Sequence, residues 1–371
     1  VLPFLVPMLE NAGAIVLLPR ERDCNPYEVI VDNDGKLAAF SSYLEKNGDS
    51  KWEKGEEPGF AYNKEQYIEF ENPFKDGTYR QIKTTTKKDK VSLAEWIPNI
   101  PREREYAVYI SYKSLPNSTT DAIYTVYHKG GQTSFSINQQ MGGGTWIYLG
   151  TFNFDKGKSG KVTISNYSRK GNSILTADAV KFGGGMGNIA RRAEGDSISA
   201  NTKSSDAIRL ARKEHQPKLD FQYEVSGYPR FTEGARYWLQ WAGFPDSIYS
   251  LSKGKDDYSD DYKCRGLWVN YLAGGTKAVP NEKGLNIPLD LSFAFHSDAG
   301  TVYSDSIIGT LGIYQTAGYG GLFADSTSRF QNRDLTDLVM SNIVNDIRRL
   351  YEPKWSRRGM WDKSYFEARV P

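Results

Sequence analysis

Apolar residues recur along this chain with two different periods, and the switch between them divides it. Leu2, Leu5, Val6 and Leu9 fall at i, i+3, i+4 and i+7, and Gly13 stands where a helix terminator belongs, so the opening predicts an amphipathic helix. Ala14–Leu18 then reads as a short buried strand, followed by the charged run Pro19–Asp23. A helix feeding an apolar strand through one glycine is half of an α/β unit. From about Tyr67 to Phe182 the period becomes two. Alternating segments at Tyr106–Tyr112, Ala122–Tyr127, Thr133–Asn138, Trp146–Phe154, Lys161–Asn166 and Ala177–Phe182 predict an antiparallel sandwich. Gly142–Gly144 and Gly183–Gly185 mark a tight turn and the exit from this module.

Helical spacing returns after Gly227. Thr232 is placed to cap a helix carrying Ala235, Trp238, Leu239 and Ala242, which Gly243 ends. A second helix is expected from Asp260 to Leu272, then strands at Leu289–Phe295 and Ile307–Tyr314. The strongest helical pattern is Asp334–Leu350, where Leu335, Leu338, Val339, Ile343, Ile347 and Leu350 make one stripe. The polar run Ala190–Lys218 reads as a linker with a short helix around Ala207–Lys213. The expected fold class is therefore α/β plus all-β. A three-layer α/β domain in two pieces, residues 1–35 and 227–371, is interrupted by an inserted antiparallel β-sandwich at 60–187 and a linker at 188–226. Exposed loops tolerate such insertions.

Composition narrows the partners. The 371 residues carry 47 basic and 45 acidic side chains without long single-sign blocks, which argues against nucleic acid. No stretch approaches the roughly 18 apolar residues of a membrane span. The opening residues lack the basic start of a signal peptide, and with no initiator methionine the sequence is expected to begin inside a longer product. Cys24 and Cys264 have no metal-ligand spacing and are compatible with two thiols or one disulfide.

The sharpest chemical candidate is His296, delivered by the predicted strand Leu289–Phe295 into the small-residue loop Ser297–Gly300. A strand end is where α/β enzymes place ligands; the plain alternative is a histidine donating to a nearby carbonyl. Ser292 and Asp298 flank it, and Asp298 either orients an imidazole or caps its own turn. His296, Ser297 and Asp298 are adjacent and point in different directions, so they are no catalytic triad. His128 and His215 are the only other histidines, one at a hairpin turn and one in the linker. Trp146 and Tyr148, with Tyr109, Tyr124 and Tyr127, offer flat faces for stacking on sugar rings, although strand alternation turns at least half of such a set into the core. Glu367 and Arg369 read as solvated charges.

The segments Trp96–Pro101, Tyr106–Tyr112, Ala122–His128, Ile137–Gln140, Gly144–Phe152 and Ala177–Phe182 together resemble the golvesin or xanthan-lyase-type carbohydrate-binding-like domain. The flanking pieces resemble zinc-dependent N-acetylmuramoyl-L-alanine amidases, which cut peptidoglycan between sugar and stem peptide. That resemblance is carried by Leu5, Leu9, Gly13, Val16, Arg20 and Asp23, by Arg265 and Asn270, and by Ser292–Ala299. It implies Zn with His296 as one ligand. The family's other histidine and glutamate ligands would precede Val1, and its catalytic carboxylate would lie beyond Pro371. Zinc chemistry needs three protein ligands and an open position for water, so these 371 residues alone are expected not to hydrolyse the amide. An amidase-like domain split by a golvesin-like module also resembles cell-envelope proteins of the Bacteroides group (Bacteroidota). The implied setting is the periplasm, the outer surface or secretion, and the implied partner is peptidoglycan or another glycan. The first expectation for the parent is thus a peptidoglycan amidase. The alternative is a non-catalytic glycan- or protein-binding scaffold, and a third is a polysaccharide (xanthan-type) lyase.

Overall fold

The computed structural model describes residues 2–19, 25, 27–35, 41–56, 58–61, 72–183, 234–274, 283–296, 309–323 and 325–370. These separate into two compact units, one ending at Asp261 and one beginning at Tyr262.

The first unit is built around two antiparallel sheets. One has the order β1 (Val29–Asp32), β12 (Ala179–Phe182), β6 (Arg104–Ile110), β9 (Ile147–Phe154). The other runs β2 (Ser42–Lys46), β5 (Leu93–Ile97), β10 (Lys161–Ser165), β7 (Ala122–His128), β8 (Gly131–Ile137). A smaller sheet joins β11 (Ile174–Ala177), β4 (Arg80–Lys83) and β3 (Glu53–Lys54). Alternation drives this arrangement: Val31, Val108, Ile110 and Val180 of the first sheet meet Ala94, Trp96, Tyr124, Val126, Val162 and Ile164 of the second in one buried cluster. Every strand predicted from alternation is present, within a few residues. The Ala177–Phe182 segment is broken at Asp178 into the end of β11 and the whole of β12. The sheets also take in Val29–Asp32 and Ser42–Lys46, ahead of residue 60 where the sequence reading begins the module.

Gly77 sits where a Cβ would come within 1.8 Å of the Phe60 carbonyl oxygen, so only glycine lets these two backbones close up. Helix α1 (Leu2–Asn11) forms as predicted, with Gly13 at φ 95° after it. The buried strand expected at Ala14–Leu18 does not: these residues are irregular, and Ile15 is 92% exposed. Helices α2 (Ala235–Trp241), ended by Gly243 at φ 84°, and α3 (Asp246–Tyr249) follow, then α4 (Asp257–Ala273), in whose first turns the unit ends.

In the second unit β13 (Thr310–Tyr314) pairs in parallel with β14 (Arg357–Asp362), connected by the long helix α5 (Phe330–Leu350). Parallel neighbours require such a crossover. The predicted stripe of α5 is rotated, however. Met340 and Val344 are its buried residues, while Leu338 is 62% exposed. The strand expected at Leu289–Phe295 is irregular and joins no sheet among the described residues, and Leu291, Phe293 and Phe295 are exposed. Among the described residues, then, the three-layer amidase-like α/β domain is not assembled. The described α-helices and strands outside the sandwich are α1, α2 to α4, one β-α-β unit and a short helix at Phe366–Arg369.

Candidate functional site

An open polar concavity lies on the sandwich. The apolar run Val29–Val31 ends in Asp32-Asn33-Asp34-Gly35, whose acidic and amide side chains favour a turn: the Asp34 amide donates to Asp32 Oδ1 at 2.7 Å and Gly35 N to the Asp32 carbonyl at 3.2 Å. This turn, β2, Lys54 of β3, and Thr78 with Arg80 wall an open cleft of about 420 Å³. Its lining is Asn33, Asp34, Tyr43, Leu44, Glu45, Lys54, Thr78 and Arg80.

These groups hold one another in place. Arg80 binds Glu45 with both carboxylate oxygens, Nε to Oε1 at 2.6 Å and Nη2 to Oε2 at 3.1 Å, and adds the Trp52 carbonyl at 3.1 Å. The Tyr43 hydroxyl donates to Glu45 Oε1 at 2.9 Å. Burial, then the charge of Glu45, holds the Tyr43 phenol far above its ordinary value, so it stays a neutral donor. Across the cleft the Thr78 hydroxyl donates to Asp34 Oδ1 at 2.6 Å and accepts from Asn33 Nδ2 at 3.0 Å, while the Thr78 amide also donates to Asp34. A fixed guanidinium, two carboxylates, an amide and a lysine, set beside an apolar leucine, suit a ligand dense in hydroxyl groups.

The sequence candidates lie elsewhere. His296 is half exposed just after the Leu289–Phe295 segment, with Nε2 at 3.4 Å from Glu367 Oε1. Glu367 belongs to α6 (Phe366–Arg369) and its side chain is only 14% exposed, so it is not the solvated charge expected. Ser292 is exposed, and Asp298, Cys24, His215, Arg20 and Asp23 lie outside the described residues. No cluster of three His, Cys, Asp or Glu side chains able to hold a metal ion occurs among the described residues. One histidine and one glutamate fall short of the three protein ligands of catalytic zinc. Trp146 is 4% exposed, edge-on to Phe60 at 4.8 Å and Phe74 at 5.5 Å, so its faces belong to the core and not to a sugar. Tyr109 and Tyr124 are buried likewise, while Tyr127 and Tyr148 are partly exposed. Tyr148 bonds Thr151 Oγ1 at 2.8 Å.

The cleft residues were missed by the sequence reading. The signal that points to them is the change from an apolar run to Asp-Asn-Asp-Gly at residues 32–35, a strand ending in a polar turn.

Comparison with known proteins agrees with the sandwich. Residues 71–184 match the Golvesin C-terminal domain. A xanthan lyase of Bacillus sp. (strain GL1) is 36% identical over 86 residues, which are 23% of this chain and 9% of that protein's length. Among solved structures, a Paenibacillus xanthan lyase is 28% identical over 42% of this chain and 13% of its own, with a TM-score of 0.32. A family 35 carbohydrate binding module from Clostridium thermocellum is 14% identical over 42% of this chain and 97% of its own, with a TM-score of 0.24. The matched family region and the xanthan lyase similarity support a golvesin/xanthan-lyase-type domain within the chain; they give no support to an amidase domain.

Proposed function

We propose that this chain works as a glycan-binding scaffold of a secreted or cell-envelope protein, and that its β-sandwich takes the glycan in the Tyr43–Arg80 cleft. The observation that carries this is the cleft itself, where Arg80, Glu45 and Tyr43 on one wall and Asp34, Thr78 and Asn33 on the other are fixed by mutual hydrogen bonds before any ligand arrives. Preorganised polar groups lose little entropy on binding, which favours weak, hydroxyl-rich ligands. The likeness to xanthan lyase supports a polysaccharide as the class of ligand and an extracellular setting. Peptidoglycan is one glycan within that class. No helix among the described residues is long and apolar enough to cross a membrane.

A zinc amidase activity has less behind it, since the described residues bring only Glu367 to His296. A lyase needs a base and a neutralising cation on a uronate groove, and the similarity to xanthan lyase spans 9% of that protein.

Affinity electrophoresis of the full chain through gels containing xanthan, or soluble peptidoglycan fragments, tests the reading. Retardation by at least one is expected. Lys54→Ala and Leu44→Ala, both at exposed positions, are expected to weaken it, Lys54→Ala by about tenfold if one charge-assisted hydrogen bond is lost. Unretarded migration in both gels, or variants that bind like the parent chain, would rule the cleft out.

A further inference from the structure

Behind the cleft lies a pair of acids that the proposed glycan site does not use. Asp32 ends β1 at 4% exposure, and Asp178, between β11 and β12, is 1% exposed. Asp32 pairs with Ala179, the residue after Asp178, in the β1–β12 ladder, and the charge of Asp178 acts on Asp32. Each carboxyl has one oxygen engaged in structure. Asp178 Oδ2 accepts the Phe60 amide at 3.0 Å and the Ser111 hydroxyl at 3.1 Å, and Asp32 Oδ1 accepts the Asp34 amide. The other oxygens, Asp32 Oδ2 and Asp178 Oδ1, are buried without a hydrogen-bond partner, and so is Asn33 Oδ1 in the same turn. Three buried acceptors without a donor are costly, and a proton on either carboxyl converts one acceptor into a donor.

We propose that Asp32 and Asp178 act as a proton-linked carboxyl pair, holding one proton between them in the folded protein and thereby fastening β1 and the Phe60 segment to β12. Two ionised carboxylates buried together would repel each other across the ladder that closes this edge of the sheet.

The electrostatics agree. Burial first, then the charge of Asp178, lifts Asp32 well above the usual aspartate range. Burial likewise lifts Asp178 from 3.8 to about 7, against the pull of the Phe60 amide and Ser111. The other ionisable groups acting on the pair are Asp34 from the β1 turn, Lys113 just after β6, Tyr43 from β2 and Tyr124 from β7. Lys113 is the single cation of that set and opposes the shift without cancelling it. Because both folded values lie above the unfolded one, the stabilisation is complete below the unfolded pKa and is lost as pH rises through about 7.

The test is thermal unfolding of the full chain between pH 5.5 and 8.5, with amide hydrogen exchange at Val29–Asp32 and Phe60. The parent chain is expected to lose Tm and to exchange faster at these amides as pH rises. Asp32→Asn, a neutral mimic of the protonated acid, is expected to reduce that slope by about half or more, and Asp178→Asn should do the same while keeping an oxygen for the Phe60 amide. A flat parent profile, variants with the parent slope, or exchange that accelerates equally throughout the sandwich would overturn the proposal. So would a rise in Tm at pH 8.5 on adding calcium that a chelator reverses, because a cation would then occupy the pair.

Discussion

Trp96 is the largest side chain with no solvent exposure among the described residues. Its indole Nε1 donates to the Asp178 carbonyl at 3.0 Å while its ring meets Tyr43 at 5.5 Å and Tyr124 at 6.3 Å. Trp96→Ala would remove the packing and the bond together, and is expected to cost about 3–5 kcal/mol in denaturant unfolding. Glu95, its neighbour on β5, points the other way and meets Lys161 at 3.0 Å and Lys46 at 3.1 Å. Burial raises its pKa, but the two lysines outweigh burial and leave it below its ordinary value. Its contribution is therefore present at neutral pH and lost as pH falls through the folded pKa, opposite in sign to the Asp32–Asp178 pair. Glu95→Gln is expected to destabilise at pH 7 by roughly 1–3 kcal/mol, with the difference shrinking toward pH 3 in parallel urea titrations. His296 behaves differently again. Half exposed and 3.4 Å from Glu367, it makes a contact of the kind worth about 0–1 kcal/mol, so His296→Ala should leave the unfolding midpoint close to that of the parent chain.

Among the elements, α5 shows how a correct helix can carry a misread face. Leu335, Leu338, Val339, Ile343, Ile347 and Leu350 make the expected stripe, of which Val339, Ile343 and Ile347 are half-buried, yet the buried residues are Met340 and Val344, and a Cβ on Gly312 of β13 would lie 2.5 Å from Thr336 Cγ2. Met340→Ala is expected to cost about 2–5 kcal/mol, whereas Leu338→Ala, at a 62% exposed position, should change stability by no more than about 0.5 kcal/mol; equal effects in chemical denaturation would mean that the face is wrong. Strands with period-two alternation were legible because one face of each packs into the core, as Tyr106, Val108 and Ile110 do. Val29–Asp32 and Ser42–Lys46 were not. Both are short, and their neighbours in the sheets, Ala179–Phe182 and Leu93–Ile97, lie far away in sequence. Ala14–Leu18 and Leu289–Phe295 failed in the opposite direction, since a short apolar run reads as a strand in sequence, and neither joins a sheet among the described residues.

At the scale of the whole molecule, the sandwich is the part whose function can be argued from geometry, and its candidate site joins four stretches no local motif unites: Asn33–Asp34, Tyr43–Glu45, Lys54, and Thr78 with Arg80. That discontinuity is why the site was invisible in sequence while the golvesin-type module around it was legible from its ordered strands. His296 drew attention for the contrary reason, as a local motif, and among the described residues Glu367 is the acid beside it. Hydrogen exchange of the full chain with and without saturating xanthan, or whichever glycan retards it, tests the central claim most directly. New protection is predicted in peptides covering Asn33–Gly35, Tyr43–Glu45 and Thr78–Arg80. Protection confined to the Tyr148 and Phe152 edge or to Tyr262–Pro371 would contradict it.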